Sequence, residues 1–247
     1  MAKNTGALAG KVVLVTGAAK RLGRAIALAA ADEGAAVAIT YRESARQART
    51  VVGELARRGA EALAVRCDVT DEIGVREMVR EVARVLGGID VLVNNAANYR
   101  TVEFAKLTVA EWDAIFASNA RGPFLVSREA LPYLRKRRGR IVNMGSLGGL
   151  RPWATHAHYC SSKAAVHMLT KVMAKVLAPE IAVNAVAPGM IDLGEKAAAA
   201  FMKRMAKQTP MGRDGTASDI TAAVMFFATA PSFITGQVLA VDGGLGL

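Results

Sequence analysis

The stretch KVVLVTGAAKRLGRAIA, from Lys11 to Ala27, joins a short apolar run to a glycine turn and the beginning of a helix. The run 11–16 is rich in valine, as expected of a buried strand, and segment 22–33 has helical spacing. A glycine turn between a first strand and a first helix leaves backbone N–H groups free at the helix N-terminus, where they can bind a pyrophosphate. The stretch therefore predicts a nucleotide-binding unit at the start of an α/β domain.

The same alternation of apolar runs and helical segments continues along the chain. The runs are nearly continuous in hydrophobic residues, which is typical of parallel strands covered on both faces. The predicted strands are 11–16, 35–40, 62–67, 90–95, 140–145, 181–188 and 237–243. The predicted helices are 22–33, 44–58, 71–86, 109–137, 160–178 and 216–230. We therefore predict one domain over residues 1–247, a Rossmann-type doubly wound parallel sheet of about seven strands with helices on both faces.

The composition favours anionic small-molecule partners. The chain of 247 residues has 32 basic and 21 acidic residues, a net charge of +11. The densest basic run, 135–140, lies at a helix end, where cations offset the helix dipole, and no aromatic residues interleave with it to stack bases. No apolar run approaches the roughly 18 residues of a membrane span, no secretion signal is evident, and the two cysteines form no disulfide framework. These features predict a cytoplasmic protein that binds neither nucleic acid nor membrane.

The charges near the first turn indicate which dinucleotide would bind. An NAD-binding fold usually has an acid at the end of its second strand, which accepts hydrogen bonds from the ribose hydroxyls. This chain has Thr40, Tyr41 and Arg42 there, and Lys20 and Arg21 lie in the first turn. An arginine can form a charge-assisted hydrogen bond with a 2′-phosphate, which a carboxylate would repel. We therefore predict NADP(H) rather than NAD(H).

A second group of motifs indicates the chemistry. Tyr159 and Lys163 are four residues apart and share one helix face. Ser146 ends the fifth predicted strand, at the sheet edge where ligands bind. Asn119 and the run NNAA at 94–97 complete the pattern. With these motifs in this order along the chain, the protein resembles the short-chain dehydrogenase/reductase family. The similarity extends from the Thr16–Gly23 turn to Pro188-Gly189 and covers nearly the whole chain.

The resemblance implies an NADPH-dependent reduction of a ketone. Tyr159 would protonate the alkoxide, with its pKa lowered by Lys163, and Ser146 would hydrogen-bond to the carbonyl oxygen. Asn119 would hold a water molecule that connects Lys163 to solvent. No metal is expected. The implied cofactor residues are Gly17, Lys20, Arg21, Leu22, Gly23, Tyr41, Arg42, Asp68, Val69, Asn95, Ala96, Ala97, Tyr159, Lys163, Pro188, Gly189 and Ile191.

The substrate is less clearly indicated. The candidate substrate residues are Tyr99, Trp153 and His156, and the resemblance implies a substrate lid at 190–212. The chain resembles 3-oxoacyl-carrier-protein reductases, so the first expectation is a 3-oxoacyl thioester, either small or bound to a carrier protein. Arg21 replaces the second glycine of the usual turn, as in pteridine reductases, although Ser146 stands where the protozoan members have aspartate.

Other functions remain open. Dihydropterin reduction is the second expectation, and sugar or polyol oxidation is the third. A hypothesis of a different class is an NADP(H)-sensing protein without turnover. By family analogy, the helices near 109–137 and 160–178 and the C-terminal VDGGLGL segment form the interfaces of a homotetramer.

Overall fold

The computed structural model describes residues 6–194 and 199–247, and its centre is a parallel sheet of seven strands. The strands are β1 Val12–Val15, β2 Ala36–Tyr41, β3 Ala62–Arg66, β4 Val91–Asn94, β5 Arg140–Met144, β6 Ala182–Pro188 and β7 Val238–Val241. Their order across the sheet is β3-β2-β1-β4-β5-β6-β7, and each neighbouring pair is parallel. The predicted fold class is confirmed, and each predicted strand end lies within two residues of the observed one.

Two hydrophobic cores lie on opposite faces of the sheet because side chains alternate along each strand. In β1, Val13 and Val15 belong to one core, and Val12 and Leu14 belong to the other. Three helices contribute residues to the first core: α1 Arg21–Asp32, α2 Ala45–Arg57 and α8 Ala217–Thr229. Three other helices contribute residues to the second core: α3 Glu72–Leu86, α5 Gly122–Arg137 and α6 Ala157–Leu177.

The segment predicted as one helix over 109–137 is divided in the structure. Helix α4 covers Val109–Phe116, a π-helical turn covers Ala117–Arg121, and α5 follows. The Ser118 hydroxyl donates to the carbonyls of Ala114 and Ile115, and so competes with the regular backbone pattern. The wider turn places Asn119 in the interior beside α6. Interruptions of this kind occur frequently at functional sites.

Two further differences concern the ligand side of the molecule. Helix α6 begins at Ala157, three residues before its predicted start, and so includes His158 and Tyr159. Helix α7, Ala199–Gln208, lies in the segment predicted as a lid, where no helix was predicted. Residues 195–198 of that lid lie outside the described part of the chain.

The strand order determines where a ligand can bind. From β1 the chain adds β2 and β3 on one side of the sheet, and β4 then pairs on the other side of β1. A crevice opens at such a reversal, at the carboxyl ends of the strands, and dinucleotides bind there in folds of this type. None of the helices in the described residues is long and apolar enough to cross a membrane.

Candidate active site

The turn after β1 is held tightly against the loop that follows β4. The Thr16 hydroxyl accepts hydrogen bonds from the backbone N–H groups of Asn95 and Ala96, both at 3.0 Å. The Asn95 amide donates to the carbonyls of Thr16 at 2.9 Å and Gly17 at 3.1 Å. A Cβ at Gly17, whose φ is +63°, would lie 2.8 Å from the Ala96 Cα, and one at Gly23 would lie 2.5 Å from the Asn95 Nδ2. Only glycine fits these two positions, so the glycines allow the turn to pack closely against the loop after β4.

Lys20 and Arg21 occupy the beginning of α1 and are both exposed. Lys20 is the N-cap residue, and its side chain makes no cap hydrogen bond to the first-turn N–H groups. These groups and the positive end of the helix dipole therefore face an incoming anion. Arg21 has a φ of +55°, a conformation that costs a non-glycine residue roughly 1–2 kcal/mol. The positive φ explains why glycine is usual at position 21. Arg21 places a positive charge there at a cost in backbone conformation.

The end of β2 lies beside the same turn. The Gly17 N–H donates to the Thr40 hydroxyl at 3.1 Å, and the Ala18 N–H donates to the Thr40 carbonyl at 2.9 Å. Arg42 follows Tyr41 at this edge, with its Nε 3.0 Å from Glu43 Oε1 and its Nη1 3.8 Å from Asp68 Oδ2. About half of the Arg42 side chain is exposed, so it remains accessible to an anion.

The predicted catalytic residues come together at the carboxyl end of β5. The Ser146 side chain lies close enough to the Tyr159 hydroxyl to lower its pKa, and its Oγ accepts the Gly148 N–H at 3.0 Å. The ammonium nitrogen of Lys163 lies 5.9 Å from the centre of the Tyr159 ring. It donates a 2.7 Å hydrogen bond to the Met144 carbonyl, at the end of β5. Two hydroxyl groups and a buried lysine thus share one small region.

The ionisation of this group differs from the sequence-based expectation. Burial raises the pKa of Tyr159 to about 12, and the hydrogen bond from Ser146 offsets only part of that rise. The expectation that Lys163 lowers this pKa is not met, because the ammonium is directed at Met144 and its own pKa falls to about 8 through burial. Tyr159 is therefore protonated at neutral pH. In this state it can donate a proton to an oxygen.

Asn119 connects three parts of the site. Its side-chain oxygen accepts the Asn98 N–H at 2.7 Å, and its amide donates to the Asn98 carbonyl at 2.9 Å and to Ser162 Oγ at 3.1 Å. The Ser162 hydroxyl donates to the Tyr159 carbonyl at 2.7 Å. The π-helical turn thereby fixes the loop after β4 to the catalytic helix. The water-holding role of Asn119 stays a prediction.

The three candidate substrate residues, Tyr99, Trp153 and His156, surround Tyr159, and we call them the aromatic cluster. The ring centres of Tyr99 and Tyr159 are 4.9 Å apart in an edge-to-face arrangement. Trp153 lies nearly parallel to Tyr159, at 6.1 Å and 15°. The Tyr99 hydroxyl is 2.6 Å from His156 Nε2, and the two rings stack at 5.0 Å. The structure thus places these side chains where a substrate would reach the catalytic hydroxyls.

His167 also belongs to this region. It is buried, and its Nε2 lies 3.4 Å from the Ser146 backbone nitrogen, near the outer limit of a hydrogen bond. A Cβ at Gly145 would lie 2.2 Å from Nε2, and one at Gly149 would lie 2.7 Å from Cε1. The imidazole therefore fills the space that two glycines leave on either side of Ser146. The sequence signal was the spacing: His167 is one helical turn beyond Lys163.

We expect His167 to make the protein sensitive to acid. Burial and the nearby Lys163 lower its pKa to about 4, from an ordinary value of 6.5. Between these values the unfolded chain binds the proton and the folded chain does not, so the free energy of unfolding falls as the pH falls through this range, by about 2–3 kcal/mol. In urea unfolding at pH 7 and pH 4.5, His167→Gln should lose this part of the pH dependence. An unchanged difference between the two pH values would contradict the assignment.

The remaining predicted residues lie along the same edge. The Gly189 N–H donates to the Val241 carbonyl at 3.0 Å, and Ile191 forms a bridge with Gly215 while packing on the first core. Leu22 and Tyr41 pack against that core as well. Val69 is buried, Ala97 is exposed, and Pro188 ends β6. Within the described residues, no group of three or more His, Cys, Asp or Glu side chains is arranged to hold a metal ion.

Comparisons with known proteins find reductases that are similar to this chain over nearly its whole length. A family model described as "Enoyl-(Acyl carrier protein) reductase" matches residues 17–246. The 3-oxoacyl-[acyl-carrier-protein] reductase FabG of Staphylococcus aureus is 39% identical over 240 residues, 95% of this chain and 98% of the relative. The FabG of Aquifex aeolicus is 36% identical over 244 residues, 96% and 98% of the two chains.

Solved structures give the same result. A short-chain dehydrogenase/reductase from Serratia marcescens matches with a TM-score of 0.92 and 35% identity over 97% of this chain and 99% of that one. A dehydrogenase/reductase from Sinorhizobium meliloti matches with a TM-score of 0.90 and 37% identity over 99% and 98% of the two chains.

Proposed function

Because the chain belongs to the short-chain dehydrogenase/reductase family, and is an oxidoreductase acting on CH–OH and C=O groups, we propose that it reduces the ketone of a 3-oxoacyl thioester with NADPH. The observation that carries the proposal is that the side chains of Ser146, Tyr159 and Lys163 lie together at the carboxyl end of β5. Two hydroxyl groups that converge on one point suit a carbonyl oxygen. The curated relatives named above are called 3-oxoacyl reductases, whereas the family model's description names enoyl reduction. The hydroxyl pair favours the carbonyl reaction.

The protein's own residues would bind the carbonyl and supply its proton. Bound NADPH would supply the hydride. Ser146 would donate a hydrogen bond to the carbonyl oxygen, and Tyr159 would transfer its proton to that oxygen as negative charge develops there. A phenol with a pKa of about 12 holds its proton at neutral pH and is still far more acidic than an alcohol. Lys163, with its ammonium nitrogen 5.9 Å from the centre of the Tyr159 ring, holds a positive charge in the same buried region.

The first turn fits a dinucleotide, and its charges fit the phosphorylated form. Gly17 and Gly23 let the turn pack closely against the loop after β4, and the first N–H groups of α1, which have no side-chain cap, would bind a pyrophosphate. Lys20, Arg21 and Arg42 lie along the same edge and would supply the positive charge for a 2′-phosphate. These features support NADP(H) over NAD(H).

The proposal is tested by the loss of NADPH absorbance at 340 nm with three substrates: an acetoacetyl thioester, a dihydropterin and a simple ketone. We expect the thioester to give the highest kcat/KM. Dihydropterin reduction is the second candidate, favoured by Arg21 and by the aromatic cluster, and faster turnover of the pterin would replace the proposal with that activity. NADPH binding without turnover of any substrate, including polyols in the reverse direction, would indicate a cofactor-sensing protein.

We also propose that the protein is a homotetramer and that it functions in the cytoplasm. Helix α6 carries an apolar stripe on its outer surface: Met168, Val172 and Val176 are 59%, 49% and 63% exposed. Their spacing of four residues places them on one face of the helix. A second exposed apolar patch includes Phe226, Phe233 and Leu239 near β7. Two separate apolar patches suit the two interfaces of a tetramer. Both cysteines are free thiols, which suits a reducing compartment.

A charge in the α6 stripe should disrupt one interface. Val172→Glu places a carboxylate at the centre of the stripe, and its desolvation would oppose association. By light scattering after size-exclusion chromatography, we expect four chain masses for the wild type and two or one for the variant. Glu180→Gln, just beyond the C-terminal end of the same helix, serves as the control. A wild type that elutes as a monomer would reject the proposed assembly.

A further inference from the structure

The aromatic cluster is an uncharged surface that borders the catalytic hydroxyls. Trp153 and Tyr99 contact Tyr159 from two sides, at centroid distances of 6.1 and 4.9 Å. A Cβ at Gly148 would lie 3.4 Å from both Ser146 Oγ and the Trp153 ring, so the indole also borders the serine. Tyr99 is 58% exposed, although it is a large ring in contact with Tyr159. An exposed aromatic surface at this position is available to a substrate.

The cluster is held rigidly by polar contacts outside its rings. His156 Nε2 lies 2.6 Å from the Tyr99 hydroxyl and 3.0 Å from Thr101 Oγ1, and its Nδ1 lies 3.0 Å from Thr155 Oγ1. The Val102 N–H donates to the Thr155 carbonyl at 2.9 Å. The loop after β4 and the loop after β5 are therefore tied together through His156. Burial lowers the pKa of His156, so the imidazole is neutral at pH 7. The surface is preorganised and carries no charge.

We propose that this surface selects 3-oxo substrates whose reacting carbonyl bears a planar ring, such as an aryl group, over those with a straight alkyl chain. The inference rests on the proposed function and specifies its substrate class. A flat ring can stack on Trp153 or meet the Tyr99 ring edge-on, whereas an alkyl chain touches each ring through fewer atoms and loses rotational freedom when it is bound. Each aromatic pair of this kind changes affinity by roughly two- to twelve-fold.

The first test compares two thioesters that differ only in this group. The probes are the N-acetylcysteamine thioesters of 3-oxo-3-phenylpropanoate and 3-oxohexanoate, assayed with NADPH. We expect the phenyl compound to have a kcat/KM about ten-fold higher. An equal or higher value for the straight chain would overturn the inference and leave the proposed function intact. Absence of turnover with both compounds, with acetoacetyl thioester also inactive, would instead contradict the proposed function.

Variants then identify which side chains cause the preference for the phenyl compound. Trp153→Leu and Tyr99→Leu should each lower the ratio of the two kcat/KM values by several-fold, and Tyr99→Phe, which keeps the ring, should retain most of it. Trp112→Leu is the matched control, because Trp112 lies in α4 and stacks on Phe116, at 5.0 Å, apart from the cluster. The control should leave the ratio unchanged. A ratio that is the same in Trp153→Leu, Tyr99→Leu and the wild type would overturn the assignment.

A binding measurement gives a readout that does not depend on turnover or on the stability of the cluster variants. The chain has two tryptophans, so Trp112→Phe leaves Trp153 as the single indole. Addition of the 3-oxo-3-phenylpropanoyl thioester should quench or shift its fluorescence in a saturable manner, and the 3-oxohexanoyl thioester should do so more weakly at equal concentration. Equal responses to the two compounds would contradict stacking of the ring on Trp153.

Discussion

Tyr159→Phe is expected to lower kcat by about a thousand-fold while leaving NADPH affinity within a few-fold of the wild type. The ring and its packing stay, and only the hydroxyl near Ser146 is removed. General acid catalysis by a positioned group contributes roughly 10²–10⁴ in rate, which sets the expected size of the loss. Steady-state kinetics with the thioester and fluorescence titration of NADPH would measure the two quantities separately.

The matched control for this variant is Tyr133→Phe. Tyr133 lies on α5 and packs against the second core, away from the catalytic hydroxyls, so removal of its hydroxyl should leave kcat almost unchanged. A Tyr159→Phe enzyme that keeps wild-type kcat would show that Tyr159 is not the proton donor. A parallel loss of NADPH affinity in that variant would show that its hydroxyl acts in cofactor binding.

Arg42→Ala is expected to weaken NADPH binding by about 10- to 100-fold and to leave NADH binding nearly unchanged. Hydrogen bonds to a charged group are worth roughly 1.5–3 kcal/mol, and NADH lacks the phosphate that would receive one. Since Arg42 also contacts Glu43 and Asp68, its removal leaves two carboxylates beside the ribose position, which adds to the loss. Isothermal titration with both cofactors gives the ratio of the two affinities directly.

Arg58→Ala serves as the control because Arg58 caps the C-terminal end of α2, whereas Arg42 precedes its N-terminal end. The control removes the same charge from the protein, and so corrects for the general attraction of a basic chain for an anion. Equal losses of NADPH affinity in the two variants would mean that overall charge, and not a phosphate contact at Arg42, sets the preference.

The sequence predicted the sheet well, because seven nearly continuous apolar runs leave little choice for parallel strands covered on both faces. It did not predict the interruption at Ala117–Arg121. Nothing in the letters ASNAR breaks a helix, and the turn depends on hydrogen bonds of the Ser118 and Asn119 side chains that appear only in three dimensions. The Gly122-Pro123 pair that follows was the available signal.

At the candidate site, too, the sequence predicted some features and missed others. The order of the motifs and the family resemblance together indicated that Ser146, Tyr159 and Lys163 belong to one site, and the structure brings them together. The spacing gave no measure of burial, and for that reason it misjudged the pKa of Tyr159. It also could not show that His156 joins two loops, because Tyr99 and Trp153 are far apart along the chain and meet only through the fold.

The imidazole of His167 between Gly145 and Gly149 has a consequence for how this region can vary. A methyl group on either glycine would lie well inside the van der Waals radius of the ring. Positions 145 and 167 therefore form a coupled pair: alanine at 145 becomes tolerable only when position 167 carries a smaller residue. A Cβ at 149 would also lie 2.7 Å from the Lys163 carbonyl carbon and 2.9 Å from the Ala164 backbone nitrogen, so glycine is needed there whatever residue occupies position 167. A combinatorial library over codons 145, 149 and 167 should recover joint replacements at 145 and 167, with glycine retained at 149.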